Sequence, residues 1–186
     1  MANRNTQGFG LIPAGTLGQT PATSGTGKYK IDAGYATTIY HGGAVASSSG
    51  YIIDGQTTDA PILGVLNGIF YNAATTLKPT FSNHYVQVTP ANSEDIDAFV
   101  FDNPQQQYVV ATDATAAQSV YLETFDMNSS AGSTTTGVSS STLDIGTTGA
   151  DNKSFRLLRS AEDPENDENA AYRSVVVCIN LIELQS

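Results

Sequence analysis

An apolar run at residues 60–72 limits the fold more than any other stretch of this 186-residue chain. Gly64 and Gly68 interrupt the run, and each glycine would cost a helix about 1 kcal/mol relative to alanine. The residues around them are mostly β-branched or aromatic, which suits a pleated sheet. We therefore predict a strand over 62–72 that is buried on both faces. The glycines either mark a bulge or close backbone approach in this strand, or they merely relieve crowding.

Shorter segments of the same character recur along the chain and alternate with turn residues. Asp54–Gly55 is a typical hairpin-turn dipeptide, and no stretch has the periodicity of a helix of three turns. Strands at this spacing are typical of barrels and sandwiches. The predicted fold class is all-β, a small β-barrel or β-sandwich with an extended N-terminal arm and long surface loops. The further strands are predicted at 28–31, 37–40, 44–46, 51–53, 85–89, 96–101, 107–111, 120–125, 142–145, 155–159 and 172–184.

The first 27 residues differ in composition from the rest of the chain. They are rich in Gly and Thr and lack periodicity, so they cannot bury enough surface to order themselves. We interpret residues 1–27 as an extended N-terminal arm and residues 28–186 as a single β domain, in which 128–170 is a loop-rich elaboration. The arm is expected to dock on a neighbouring subunit, and a disordered tail is the alternative. The predicted partner-contact residues are Arg4, Phe9, Leu11, Ile12, Leu17, Lys28 and Lys30.

The charge of the chain is strongly negative but unevenly distributed. The net charge is −10 at pH 7, whereas residues 1–30 contain basic residues and no acidic ones. An acidic body argues against nucleic acid as a direct partner. No apolar run approaches the roughly 18 residues of a transmembrane helix, so no membrane partner is expected. The N-terminus also lacks the apolar segment of a signal peptide.

The sequence contains no complete catalytic, cofactor or metal motif. Residues 24–28 resemble part of a phosphate-binding loop, but Ala22 and Tyr29 replace the glycine and the hydroxyl residue that the loop requires. His41 and His84 lack the close spacing of zinc ligands, and His41 is interpreted as a solvated turn residue. We therefore expect that the chain is not an enzyme and holds no cofactor or metal.

Two acidic clusters and one cysteine remain as candidates for chemistry. Glu94, Asp95 and Asp97 are interpreted as a solvated strand edge and not as the carboxylate pair of a glycosidase. The loop 162–169 is the best candidate for a cation, although a plain solvated loop is favoured. Cys178 lies in a valine-rich run, which predicts a buried and unreactive thiol.

The arm 1–27, the run Ile62–Tyr71 and the closing strand 175–182 together resemble the capsid decoration (cement) proteins of tailed bacteriophages. The resemblance covers most of the chain in style and includes no diagnostic motif. It implies a β-rich body, usually trimeric, on the outer surface of the capsid. It also implies an arm that reaches across subunits of the major capsid protein. The expected function is that of a structural virion protein that stabilises a capsid by bridging those subunits.

Two other functions fit the same residues. A carbohydrate-binding β-sandwich of a phage fibre or surface protein would stack sugars on Tyr35, Tyr40, Tyr51 and Tyr85, although the absence of tryptophan argues against it. A subunit of the tail or of a head–tail connector is the second alternative. Only 14% of the residues are charged, against about 25% in an ordinary soluble domain. Such a composition suits a protein that neighbours cover in an assembly.

Overall fold

The computed structural model describes residues 5–18, 25–55, 61–147 and 153–185, and these residues form an all-β protein with two antiparallel sheets. No α-helix occurs among them, and none of their helical turns is long and apolar enough to cross a membrane. The strands are β1 Ile12–Thr16, β2 Gly27–Ile31, β3 Ala44–Ser48, β4 Tyr51–Asp54, β5 Gly64–Asn72, β6 Pro79–Ser82, β7 Ile96–Phe101, β8 Gln106–Ala111, β9 Thr124–Asn128, β10 Thr142–Asp144, β11 Phe155–Ser160 and β12 Ser174–Ile179. Short 3₁₀ turns lie at Ala91–Ser93, Gln118–Val120, Ile145–Thr147 and Glu183–Gln185.

The two sheets differ in shape. Sheet 1 has the strand order β1-β8-β12-β11-β9-β10. Sheet 2 has the order β2-β7-β5-β3-β4, with β6 added to β5. Sheet 2 curls until β2 and β4 bring Cα atoms within 8 Å of each other, but the two strands are not paired. The fold is therefore compatible with a sandwich, and the sheets do not close into a barrel.

Two apolar clusters form the core. The first contains the inward side chains of sheet 1, such as Tyr108, Val177 and Phe155, together with Ala44 and Val65 from sheet 2. The second lies on the opposite face of sheet 2 and is lined by the buried members of its strands. The second cluster consists of Ile31, Ile39, Val45, Ile52, Leu63, Leu66, Ile69, Tyr85, Ile96, Ala98 and Val100.

The strand predicted over 62–72 is observed as β5, and its first half is buried on both faces as expected. Val65 pairs with Ala44 and Phe101 and faces the first cluster. Leu66 pairs with Val100 and faces the second cluster. The register with β7 shifts between Leu66 and Gly68, so the predicted bulge is confirmed at Asn67.

Part of the predicted N-terminal arm belongs to the sandwich. Residues 12–16 form β1, which pairs with β8 at the edge of sheet 1. Leu11 is only 1% exposed and packs in the first core cluster. The separation of an arm at 1–27 from a β domain is therefore corrected for residues 11–16. The sequence did not predict this, because the apolar residues of the segment follow no period. In the fold, the burial of Leu11 and the pairing of β1 with β8 hold these residues.

The loop-rich elaboration predicted at 128–170 is joined to the sheets. The strands predicted within it at 142–145 and 155–159 are observed as β10 and β11, and the buried Ser139 and Ser141 lie within its low-complexity segment 128–141. The N–H of Gly10 donates to the carbonyl of Ser141 at 3.2 Å. A Cβ on Gly8 would lie 2.1 Å from the carbonyl oxygen of Ser140, so glycine permits this close approach. Residues 128–141 contribute little apolar core, but they are not an outlying loop.

Four local predictions were wrong. Asp54–Gly55 does not close a hairpin, because β4 pairs with β3 and not with β5, and the β3–β4 turn lies at Ser49 and Gly50, whose φ angles are 52° and 85°. The strands predicted at 37–40 and 85–89 are reduced to a single bridge between Ile39 and Tyr85. The strand predicted at 120–125 begins only at Thr124.

Candidate functional site

The predicted partner-contact residues lie in different places. Arg4 lies outside the described residues. Leu11 is buried in the core of its own chain, which corrects its assignment as a contact, and Phe9 is half-buried. The exposed candidates form two separate surfaces, one on each sheet.

The first surface is the N-terminal edge, which we define as the outer backbone edge of β1 with Ile12 and Leu17. Ile12 is 50% exposed and Leu17 is 43% exposed. β1 is the terminal strand of sheet 1, so one of its backbone edges has no partner strand among the described residues. The Leu17 N–H donates to the Gln105 carbonyl at 2.8 Å, which fixes the end of the strand. The edge therefore offers both backbone groups and apolar side chains.

The outer face of sheet 1 continues the apolar character of this edge. Ile12 pairs with Val109, and Val109 pairs with Val176 on the next strand. Cys178, one pair further along, is buried as predicted. Burial raises the pKa of the Cys178 thiol, while the nearby Arg156 lowers it, with a net rise. The neutral thiol is thus favoured, and Cys178 acts as a small apolar group.

The second surface is the phenylalanine face, which we define as Phe70, Phe81 and Phe99 with Lys28 and Lys30 on the outer side of sheet 2. Two cross-strand rows build it. Lys28 pairs with Phe99, and Phe99 pairs with Gly68. The neighbouring row consists of Lys30, Asp97, Phe70 and Phe81.

Phe81 is the most exposed aromatic member of this face. Its side chain is 62% exposed, and its ring centre lies 6.3 Å from that of Phe99 in a tilted arrangement. A Cβ on Gly68 would lie 2.7 Å from Cζ of Phe81. The glycine therefore leaves the space into which the Phe81 ring leans. The second glycine of the central run thus shapes this surface.

Asp97 holds the two lysines of the phenylalanine face. Nζ of Lys28 and Nζ of Lys30 lie 2.8 Å and 2.6 Å from its carboxylate oxygens. Burial of Asp97 pushes its pKa up, but hydrogen bonds from both lysines outweigh this and lower the pKa overall. The lysine side chains remain 59% and 50% exposed, whereas that of Asp97 is 15% exposed. Asp97 is therefore a half-buried ion-pair partner and not the solvated edge residue that was predicted.

A shallow cleft of about 280 Å³ lies beside the phenylalanine face. Oδ2 of Asp95 accepts a hydrogen bond from the Tyr51 hydroxyl at 3.1 Å, and Glu94 is exposed. No group of three or more His, Cys, Asp or Glu residues that could hold a metal occurs in the part of the chain that the structure describes. The cleft is lined by Lys30, Phe70, Tyr71, Asn72, Pro90, Glu94, Asp95 and Asp97.

The four tyrosines proposed as a sugar platform all contact other residues of their own chain. Tyr85 is fully buried, and its hydroxyl donates to the carbonyl of Tyr35. The Tyr35 hydroxyl accepts the N–H of Asp54 at 2.8 Å. Tyr40 stacks on His84 with ring centres 6.1 Å apart. The platform prediction is corrected for Tyr85 because its ring caps the second core cluster.

The two histidines also have structural contacts. Nδ1 of His41 lies 2.9 Å from the carbonyl oxygen of Asn67, the bulge residue of β5. His41 is half-buried, so its interpretation as a solvated turn residue was wrong. Nδ1 of His84 lies 2.9 Å from Oδ1 of Asn83.

The acidic loop 162–169 is fastened to the body of the protein. The Asn166 side chain donates to the carbonyl of Ser174 at 2.8 Å and accepts the Ser174 N–H at 2.9 Å. Nη2 of Arg173 lies 2.9 Å from Glu168, and the arginine is only 3% exposed. Arg173 also lies over the ring of Tyr121, 5.7 Å from its centre. Asn166 and Arg173 thus tie the loop to the body, while most of its residues are exposed, as expected of the favoured solvated loop.

Sequence reasoning found the lysines of the phenylalanine face but missed its aromatic centre. The alternation of Phe99 and Phe101 was a visible signal, because it places both on one face of a strand. The sequence could not tell that sheet 1 covers Phe101 and leaves Phe99 outside both core clusters.

Comparisons with protein-family models, characterised proteins and solved structures each find no match for this chain.

Proposed function

We propose that the chain is a structural virion protein that decorates a tailed-phage capsid and bridges subunits of its major capsid protein. The N-terminal edge carries this proposal, because it combines a strand edge that no other described strand pairs with and the exposed side chains of Ile12 and Leu17. An extended segment of a partner can add to such an edge through backbone hydrogen bonds, with specificity from neighbouring apolar side chains. The proposed location is the outer capsid surface, and the proposed assembly is a homotrimer.

Multivalency explains how a modest edge could stabilise a shell. A single short strand edge binds weakly, and an open edge is normally a liability unless a partner covers it. A trimer would present three such edges to adjacent capsid subunits. After the first edge binds, the others bind with a high effective concentration, so the total avidity exceeds that of one contact. Bridged subunits would then separate less readily under pressure from packaged DNA.

The test compares variants of the edge with matched variants elsewhere. Ile12→Asp with Leu17→Asp places charges on the edge, whereas Leu184→Asp with Val86→Asp changes residues that are 52% and 40% exposed. Each protein is mixed with undecorated shells of the major capsid protein of the same virus and sedimented. The edge variant should lose attachment and the matched variant should retain it. Normal decoration by the edge variant would overturn the proposal.

Deletion of residues 2–26 is a less informative experiment than the sequence suggests. The sequence predicts that the deletion abolishes attachment and leaves the body folded. The deletion would also remove Leu11 from the first core cluster and β1 from sheet 1. Loss of a buried leucine side chain alone costs about 2–5 kcal/mol. The point variants separate loss of binding from loss of folding.

A carbohydrate-binding function is the alternative that a specific observation favours. Phe81 presents a 62% exposed ring beside a polar cleft, which is an arrangement that could stack a sugar. A glycan array tests it: a selective signal that Phe81→Ser removes would support this function over capsid decoration. A tail or connector subunit would instead appear at one vertex when labelled particles are imaged.

A further inference from the structure

We infer that the phenylalanine face is the surface through which copies of this chain associate with one another. The inference rests on the homotrimer of the proposed function and deepens it, because it names the surface that joins copies of this chain to one another and not to the shell. It rests on three features of the face: its incomplete cover, its aromatic content and its charge pattern.

Sheet 1 covers only part of the outer side of sheet 2. Phe101 and Val65 point to this outer side and pack in or against the first core cluster. Phe99 lies two residues before Phe101 on the same strand and points the same way, yet it belongs to neither cluster. Among the described residues, the outer side thus passes within one strand from a half that sheet 1 covers to a half that it does not cover. A second copy is the kind of partner that could cover the remainder.

The aromatic content of this face is that of an interface. A phenylalanine side chain can bury roughly 150–250 Å². Phe81 leaves most of its surface in solvent, with Phe99 and Phe70 beside it. Aromatic residues are enriched at protein–protein interfaces, where they form the central anchors. Isolated exposed apolar residues are common, but adjacent phenylalanines on a rigid sheet form a patch.

The charge pattern favours a second copy over other partners. The chain carries a net charge of −10, so two copies repel each other over most of their surfaces. Around the phenylalanines, the positive Lys28 and Lys30 nearly balance Asp97 and the neighbouring Glu94 and Asp95. A local balance of this kind permits close approach, whereas the remaining negative charge disfavours nucleic acid.

The same pattern supplies complementary groups. Lys30 lines the cleft together with Glu94, Asp95 and Asp97, whereas Lys28 lies two residues earlier on β2 and pairs with Phe99. A second copy therefore offers its Glu94 and Asp95 to Lys28 of the first. Each ammonium group has three N–H donors, and contact with one Asp97 oxygen leaves donors for a partner. Complementary charges would fix the orientation of the two copies, and the phenylalanines would supply the buried area.

The first test measures the mass of the chain in solution by sedimentation velocity and light scattering over a range of concentrations. The wild type should associate. Phe81→Ser should weaken self-association by at least about tenfold, as expected when a central aromatic anchor is removed. Leu77→Asn is the matched control, because Leu77 is 71% exposed and only four residues away. Its asparagine also suits the left-handed backbone there, where φ is 55°.

The second test exchanges charges between copies. Lys28→Glu and Glu94→Lys should each weaken self-association, and a mixture of the two variants should associate better than either alone. Lys28→Glu leaves Lys30 to pair with Asp97, so folding should persist, which a thermal melt checks. Three results would overturn the inference: a monomeric wild type, unchanged association of Phe81→Ser, or a mixture no better than its components.

The two proposals fail separately. The edge variant Ile12→Asp with Leu17→Asp should keep the wild-type assembly and lose only the attachment to shells. Phe81→Ser should lose the assembly first and should attach more weakly because it is no longer multivalent. An edge variant that becomes monomeric would place the self-association surface on β1 and would overturn the assignment to the phenylalanine face.

Discussion

The two halves of β5 have the same sequence character but different surroundings. The half before the bulge, Gly64–Leu66, lies between β7 and β3 and is buried on both faces. The half after the bulge, Gly68–Asn72, lies between β7 and β6. Its inward residue Ile69 is 1% exposed, whereas its outward residue Phe70 is only half-buried. One strand thus serves as interior scaffold at one end and as surface at the other.

The bulge at Asn67 makes this division possible. Side chains alternate along a strand, so residues three apart normally face opposite sides. Leu66 and Ile69 are three apart, yet both pack in the second core cluster, because the extra residue resets the alternation. Gly68 and Phe70 then point outward. The imidazole of His41 hydrogen-bonds the Asn67 carbonyl at 2.9 Å and helps to hold the bulge.

The largest effect is expected from Gly64→Val, in the half that is buried on both faces. A Cβ at this position would lie 2.3 Å from the Phe101 carbonyl oxygen and 2.7 Å from Cγ1 of Val100. Backbone of a neighbouring strand cannot move aside without breaking the ladder. We expect the loss of cooperative folding, which urea denaturation followed by circular dichroism would detect.

Gly25→Val is the control for Gly64→Val. A Cβ on Gly25 meets no atom of the described residues within 4 Å, so this variant should unfold at nearly the wild-type urea concentration. If Gly64→Val unfolded like the control, the close packing of the first half of β5 on β7 would be contradicted.

The next effect separates the two halves by side-chain truncation. Leu66 is 0% exposed, and Leu66→Ala should lower the free energy of unfolding by about 2–5 kcal/mol. Phe70→Ala should cost less, because the Phe70 ring is only half-buried and already contacts solvent in the single chain. Denaturation at low protein concentration measures both in the absence of self-association. Equal losses would show that the second half of β5 is as well packed as the first.

A smaller effect is expected from Gly68→Val. A Cβ there would lie 2.7 Å from the Phe81 ring and 2.9 Å from the Ser82 carbonyl oxygen. The exposed ring can move aside, but the carbonyl belongs to the backbone, so we expect a loss of about 1–3 kcal/mol. The displaced ring should also weaken self-association. A stable and fully assembling Gly68→Val protein would show that the strand does not need glycine at this position.

The sequence predicted the interior of this fold better than its edges. The apolar side chains of residues such as Val65 and Leu66 are enough to predict their burial. The bulge was one of the two interpretations of the glycines beside them, and the register shift confirms it. The burial of Leu11 could not be predicted in the same way, because a single leucine in a Gly- and Thr-rich segment forms no periodic pattern. Its burial depends on the distant β8 and on residues 139–141, which approach the N-terminal segment only in the folded chain.

The candidate surfaces were predictable only in part, for a related reason. Lys28 and Lys30 were found because basic residues are conspicuous in an acidic chain. Phe81 was not found because exposure depends on which half of sheet 2 is covered by sheet 1, and pattern alone does not contain that information. The prediction for Tyr85 was wrong in the opposite sense, because this residue was expected to be exposed and is buried. An aromatic residue near a polar stretch can equally cap a core.

The smallest effect is expected from the ion pairs on the uncovered half. Lys28 and Lys30 lower the pKa of Asp97 below its usual value of 3.8 despite the opposing effect of burial. A carboxyl group with a lowered folded-state pKa stabilises the fold above its unfolded pKa, and this contribution disappears as the pH falls through the folded pKa. The pairs are largely exposed, so at neutral pH we expect Asp97→Asn to cost about 1 kcal/mol or less.

The comparison of wild type with Asp97→Asn at two pH values isolates this contribution from the other carboxyl groups. The difference in unfolding free energy should be present near neutral pH and should shrink as the pH falls through the lowered pKa of Asp97. High salt should reduce the difference at neutral pH, because exposed charges are screened. A difference that persists at low pH would mean that the Asp97 side chain stabilises the fold through packing and not through its charge. The second half of β5 would then be more tightly packed, and so more like the first half, than its exposure indicates.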